Sequence, residues 1–250
     1  MNQQPEIQTG QVSWSPDYKS DEKHAANILG NIDALIASMP DDEELPVMEQ
    51  NCPATLVSRS NTPLIDFPDR HGRELTLHGD EWKAAYEKAL GIAESGGIII
   101  AYGNRGTGKT QIASEIARNA KFQNPHLPKS KWVMQSQPVF RPAIYAKAMD
   151  IFIDLKNGFA RKNEPSEKEV IAKLVEAVFL VIDEAHVRGE TKYEDDKLTH
   201  ILDKRYDSMR STMLITNLNK NDFAAQLSPS IISRIKESGG GIECNWKSYR

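Results

Sequence analysis

Eight consecutive residues, Gly103-Asn104-Arg105-Gly106-Thr107-Gly108-Lys109-Thr110, complete a G-x-x-x-x-G-K-[ST] pattern and leave the surrounding chain few ways to fold. An apolar run, Ile98-Ile99-Ile100-Ala101-Tyr102, precedes them, and a helical stretch over residues 111–120 follows. The reading is a strand that ends in a glycine-rich turn and then opens a helix. Such a turn wraps backbone N–H groups around an anion, and the helix aims its positive dipole end at the same point. Lys109 is then placed to reach the β/γ-phosphates of ATP, and the Thr110 hydroxyl to ligate Mg²⁺. Glycine-rich turns also join many strands to helices with no ligand. The full pattern between these flanks is what points to a nucleotide.

A second motif lies about 70 residues on. Val178-Phe179-Leu180-Val181-Ile182 is a continuous apolar run, as expected of a strand buried on both faces of a parallel sheet. It ends in Asp183-Glu184. Asp183 is placed to hold the same Mg²⁺ as Thr110, and Glu184 to polarise an attacking water. Strands often end in charged turns, so this motif gains its meaning from the loop before it. Together they predict hydrolysis of a nucleoside triphosphate.

With 250 residues the chain is long enough for one α/β domain and an extension. Its apolar runs are strand-length, so no membrane span is expected, and the N-terminus lacks the pattern of a secretory signal. Cys52 and Cys244 are far apart and lack metal-ligand spacing, which fits free thiols in a cytoplasmic protein. The net charge of -4 is unevenly spread. Residues 1–70 carry 4 basic and 12 acidic residues, a net of -8, and the remainder 27 against 23, a net of +4. Residues 121–162 hold 8 basic and 2 acidic residues, which suggests nucleic acid at one site and a different partner at the acidic end. A solvated, mixed-charge surface would give the same counts.

Composition predicts disorder over residues 1–20 and a helix over 21–39. There Ile28, Leu29, Ile32, Leu35, Ile36 and Met39 form one apolar stripe. Residues 45–78 hold four prolines and no clear period, which reads as a linker. Asp80 is expected to cap a helix that Gly96-Gly97 closes. Further on, strands are expected at 131–134, 178–182, 212–216 and 241–245. Helices are expected at 142–155, from the capping box of Ser166 and Glu169 to Ala177, at 194–209 and at 229–237. The predicted fold class is therefore α/β, a mostly parallel sheet covered by helices on both faces, plus a helical N-terminal extension.

The order of phosphate loop, Asp-Glu strand, Thr216-Asn217 strand end and late Ser233-Arg234-Ile235 resembles the P-loop AAA+ ATPases. That resemblance implies Asn217 as the polar sensor orienting the attacking water, and Arg234 as an arginine finger reaching a neighbouring subunit's γ-phosphate. Several segments resemble, more narrowly, the bacterial and phage replicative helicase loaders of the DnaC/DnaI type. They are Glu190-Thr191-Lys192-Tyr193-Glu194, Asp203-Lys204-Arg205, Thr216-Asn217-Leu218-Asn219 and Asn245-Trp246-Lys247-Ser248-Tyr249-Arg250. The likeness covers about residues 80–250. It implies an ATPase domain over 79–250 with no helical lid, and a partner-docking helix and linker over 1–78.

The same family implies a DnaB-type replicative DNA helicase and single-stranded DNA as partners, with homo-oligomers forming on the helicase. It also implies a nucleic-acid-binding helical insertion between the two nucleotide motifs. The segment that ends that helix carries Phe159, a face for a base, among Lys156, Arg161 and Lys162, which suit phosphates. Core packing is the plainer use of Phe159. The transposase-helper ATPases of the IstB type share the core motifs and would bind duplex DNA instead. A small-molecule P-loop kinase and a non-hydrolysing nucleotide-gated adaptor are two further readings, both opposed by the Asp-Glu pair. The N-terminal region offers no motif of its own to match.

Overall fold

Four runs of five residues build the centre of the molecule because nearly every side chain in them is apolar. They are β2 (Ile98–Tyr102), β3 (Ala143–Lys147), β4 (Phe179–Asp183) and β5 (Ser211–Ile215). In the computed structural model they pair in parallel with the short edge strands β1 (Leu64–Ile65) and β6 (Gly240–Glu243), in the order β1-β3-β4-β5-β2-β6. The structure describes residues 62–71, 79–123, 125–126, 140–160, 165–187, 189 and 191–248. The disordered tail, the helix at 21–39 and the strand at 131–134 expected from sequence lie outside these residues. Among the described residues, no helix is long and apolar enough to cross a membrane.

Strand side chains alternate between faces, and both faces are dry. Ile99, Ala101, Tyr145, Val181 and Met213 join one cluster with Ile112, Ile116 and Ala93. Those partners come from α1 (Asp80–Glu94) and α2 (Lys109–Asn119). Ile98, Ile100, Leu180, Ile182 and Leu214 point the other way and are equally buried. On that side lie α3 (Ala148–Ala160), α4 (Glu167–Glu176) and α5 (Lys192–Asp207). There Ile151, Phe152, Leu198 and Ile201 meet Ile182. The short helix α6 (Lys220–Ala224) and α7 (Pro229–Ser238) lead into β6.

The structure corrects the sequence reading at three places. Residues 142–155 are not one helix: Ala143–Lys147 is β3, and the helix begins only at Ala148. Ile144, Ala148, Ile151 and Leu155 fit helical spacing by coincidence across a strand and a helix joined without a loop. The buried Ala-Ile-Tyr run decides for the strand. Asp80 is the first helical residue, with Gly79 at the cap position, so its carboxylate faces the helix dipole without capping. The linker expected over 45–78 is not free of structure, since Leu64–Ile65 pairs with Ala143 and Ile144 at the sheet edge. The capping box at Ser166 and Glu169 forms as expected.

Arg205 is fully buried on α5 and ties the far face together. Its guanidinium donates to the carbonyls of Leu174 (2.7 Å) and Ala177 (2.7 Å) at the end of α4, to the Thr212 hydroxyl (2.7 Å) and to the Ser211 carbonyl. These acceptors have no water to turn to, so Arg205→Ala is expected to cost about 3–5 kcal/mol. A urea unfolding midpoint that moves by less than the equivalent of about 1 kcal/mol would show that the carbonyls find other donors.

Candidate nucleotide site

The glycine-rich loop leaves β2 in backbone conformations that L side chains rarely adopt: φ is 114° at Gly103, 81° at Gly106 and 88° at Gly108. Gly108 also lies under Trp82, whose Nε1 would stand 2.9 Å from an added Cβ. The loop is tied down from several sides. The Asn104 N–H donates to the Cys244 carbonyl (3.1 Å), and the Trp246 indole N–H donates to the Thr107 carbonyl (2.9 Å). Within the loop the Thr107 hydroxyl donates to the Asn104 carbonyl (2.9 Å). Cys244 is a free, buried thiol, pushed up to about 12 by burial, and acts here as packing behind the loop.

Lys109 is 5% exposed, and its ammonium donates to the carbonyls of Gly103 (2.9 Å) and Asn104 (2.6 Å). Burial holds its pKa below the ordinary lysine value. A buried cation that rests on neutral carbonyls gains most from an anionic partner. Next to it, the Thr110 hydroxyl donates to Asp183 Oδ2 (3.1 Å), which also accepts from the Tyr145 hydroxyl (2.7 Å). Burial, together with that hydrogen bond, raises the Tyr145 phenol well above its usual pKa, so it stays a donor. A hydroxyl and a carboxylate in contact at the start of the loop helix are a donor set that fits Mg²⁺ beside phosphates.

Glu184 follows Asp183 with φ at 53°, a left-handed conformation that is costly for a side chain of this size. Its N–H donates to Asp183 Oδ1 (2.7 Å), and its carboxylate lies 3.2 Å from the Lys147 ammonium at the end of β3. The ends of β4 and β5 are joined by the Ala185 N–H on the Ile215 carbonyl (2.9 Å) and by His186 Nδ1 with the Thr216 hydroxyl (3.0 Å). That hydroxyl also accepts from the Leu218 N–H (3.1 Å), and burial favours the neutral His186 ring. Asn217 is held by this turn at the rim of a cleft of about 370 Å³. Arg105, Gly106, Gly108, Lys109, Thr110, Asp183 and Glu184 line the same cleft.

No family model matches the chain. The replicative helicase loader DnaC of Escherichia coli K12 is 30% identical over 149 residues, 59% of this chain and 54% of the loader. The chain thus spans about half the length of that relative. A crystal structure of a DnaC helicase loader superposes with a TM-score of 0.52 at 16% identity, over 67% of this chain and 94% of that one. A replication initiator DnaA bound to AMPPCP and single-stranded DNA also gives 0.52 at 16% identity, over 73% and 52%. The described residues share the fold of the DnaC structure around a P-loop, and the chain is similar in sequence to DnaC.

In this fold the nucleotide motifs expected from sequence converge on one cleft, while Arg234 and Lys156 lie outside its lining. Arg234 is absent from the cleft lining. It pairs with Asp203 (3.1 Å), bonds Ser230 and lies 5.2 Å over the Tyr206 ring, within its own subunit. Lys156 is exposed at its stem, yet its ammonium meets the buried Glu194 carboxylate (2.7 Å). The Phe159 side chain, Arg161 and Lys162 lie outside the described residues. Sequence reading missed Tyr145, Lys147, His186, Arg70 and His71. A Tyr-x-Lys pair at the end of an apolar run carries the first two, but the run was read as helix.

Proposed function

We propose that the chain is an ATP-hydrolysing helicase loader that docks on a DnaB-type replicative helicase and delivers it to single-stranded DNA. The observation that carries the hydrolytic part is the contact of Thr110 with Asp183 beside Glu184, at the mouth of the phosphate loop. Similarity to DnaC supports the loading part.

In this reading the loop N–H groups and Lys109 bind the phosphates of ATP. The Lys109 ammonium exchanges loop carbonyls for phosphate oxygens as it does so. Thr110 and Asp183 would hold Mg²⁺, which neutralises charge on those oxygens when bound. Glu184 accepts the proton of the attacking water, and Asn217 orients that water. Arg234 serves a neighbouring subunit's site, for which it must give up Asp203. The segment at 156–162 contacts DNA, with Phe159 stacking on a base. ATP works as a switch between subunit arrangements.

The docking extension lies within residues 1–78 and works through the stripe of Ile28, Ile32, Leu35, Ile36 and Met39 laid into an apolar groove of the helicase. Deleting residues 1–61, which leaves the Leu64–Ile65 strand and Arg70 in place, is expected to preserve ATP binding and to abolish capture of the purified helicase. Ile32→Asp with Leu35→Asp should do the same in the full chain. Capture that survives both changes moves the docking surface to the ATPase domain. A wild-type chain that captures no helicase sinks the loader reading.

A further inference from the structure

A short 3-10 turn, Asp69–His71, sits over the start of the phosphate-loop helix, although the sequence there reads as linker. It is fastened to that helix twice. Arg118 Nη2 donates to the His71 carbonyl (2.7 Å), and His71 Nδ1 meets Gln111 Oε1 (2.8 Å). The direction of the second bond follows from its neighbours. Gln111 Nε2 donates to Glu115 Oε1 (3.1 Å), because a carboxylate only accepts. Gln111 Oε1 is therefore an acceptor, and His71 Nδ1 must carry its proton. That leaves His71 Nε2 with a lone pair, which accepts from Arg70 Nε (3.1 Å).

The relay from Glu115 through Gln111 and His71 holds Arg70 by its Nε and, among the described residues, leaves both Nη groups for a ligand. Arg70 and His71 line the same cleft as Lys109, Thr110, Asp183 and Glu184. Its lining brings four cations, Arg70, Arg105, Lys109 and Lys147, against the carboxylates of Asp183 and Glu184. Lys109 is folded into the loop and Lys147 is paired with Glu184. Arg70 lines the cleft together with Tyr145, whose phenol feels the charge of its guanidinium. A guanidinium fork suits phosphate oxygens and stays charged at any working pH.

We propose that Arg70 binds the terminal phosphate of a nucleoside triphosphate in its own subunit, positioned by His71, and so distinguishes ATP from ADP. This rests on the nucleotide reading above. The test is calorimetric titration of the full chain with ATP and with ADP, in magnesium buffer, for wild type, Arg70→Ala, Arg70→Lys and Lys109→Ala. Arg70→Ala is expected to weaken ATP about tenfold or more and ADP less than about threefold. Arg70→Lys should fall between, since it keeps the charge and loses the bond to His71. Arg70 is exposed, so the melting temperature should not move. Unchanged ATP affinity in Arg70→Ala overturns the proposal, and so do equal losses for ATP and ADP. A wild-type chain that binds neither nucleotide, and so matches Lys109→Ala, brings down the nucleotide reading as well.

Discussion

Replacing Lys109 by alanine is expected to weaken ATP binding by about 100-fold or more, while the domain stays folded. Each charge-assisted bond to a phosphate oxygen contributes about 1.5–3 kcal/mol, and the ammonium would make more than one. The resting structure adds a second reason. With the ammonium lodged among the carbonyls of Gly103 and Asn104, it also braces the loop for an anion. The effect on stability has the opposite logic. A lysine whose folded pKa is lowered by burial carries a cost below that pKa, which is relieved as pH rises through it. Removing the group removes that cost and loses two hydrogen bonds, so the two changes offset. The melting temperature should move by less than about 4 °C, the shift of roughly 1 kcal/mol in a domain of this size. Titration with ATP beside a thermal melt reads both. Unchanged affinity would mean that the loop is only a turn.

What the sequence reveals here divides by the range of the forces involved. The phosphate loop, the Asp-Glu strand and the capping box at Ser166 are local: a few neighbouring residues determine the backbone, and the pattern is readable without the rest of the chain. β3 is the opposite case. Ala143-Ile144-Tyr145 is short and runs directly into α3, so period alone favours a helix; pairing with Phe179 and Leu180 of β4 makes it a strand. Tyr145 and Lys147 reach Asp183 and Glu184 only because of that pairing, which no spacing in the sequence encodes. Arg70 and His71 were hidden for a related reason. Four prolines make residues 45–78 look unstructured, while the bonds that hold this turn come from Gln111 and Arg118, about 40 residues away. Trp246 gives the closing segment a physical role, since its indole N–H holds the Thr107 carbonyl of the loop. Arg234 shows the remaining gap. Its sequence position fits a finger, and its place in one subunit, against Asp203 and Tyr206, says how it rests rather than what it reaches.

Glu184→Gln is expected to bind ATP as wild type does and to turn it over about 10²–10⁴ times more slowly, the range for losing one positioned general base. The amide has the size and reach of the carboxylate and cannot take a proton from water. Its backbone should hold, because the left-handed turn at Glu184 is fastened by the N–H bond to Asp183 Oδ1 and by the Ala185 bond to Ile215, neither of which uses the side chain. The ion pair with Lys147 is lost, however, and that pair is half exposed on both sides, so it contributes less than about 1 kcal/mol to stability. Its larger effect is on the chemistry. In the resting chain the Glu184 carboxylate is engaged by Lys147, and on the proposed mechanism it must be released before it accepts a proton. Single-turnover hydrolysis of pre-bound ATP separates the two contributions, since it reads the chemical step apart from binding. Glu184→Gln should slow this step while titrated ATP affinity stays within about twofold of wild type. Hydrolysis at a near-normal rate in this variant would reduce Glu184 to a turn residue paired with Lys147, and the base would have to be sought elsewhere in the cleft.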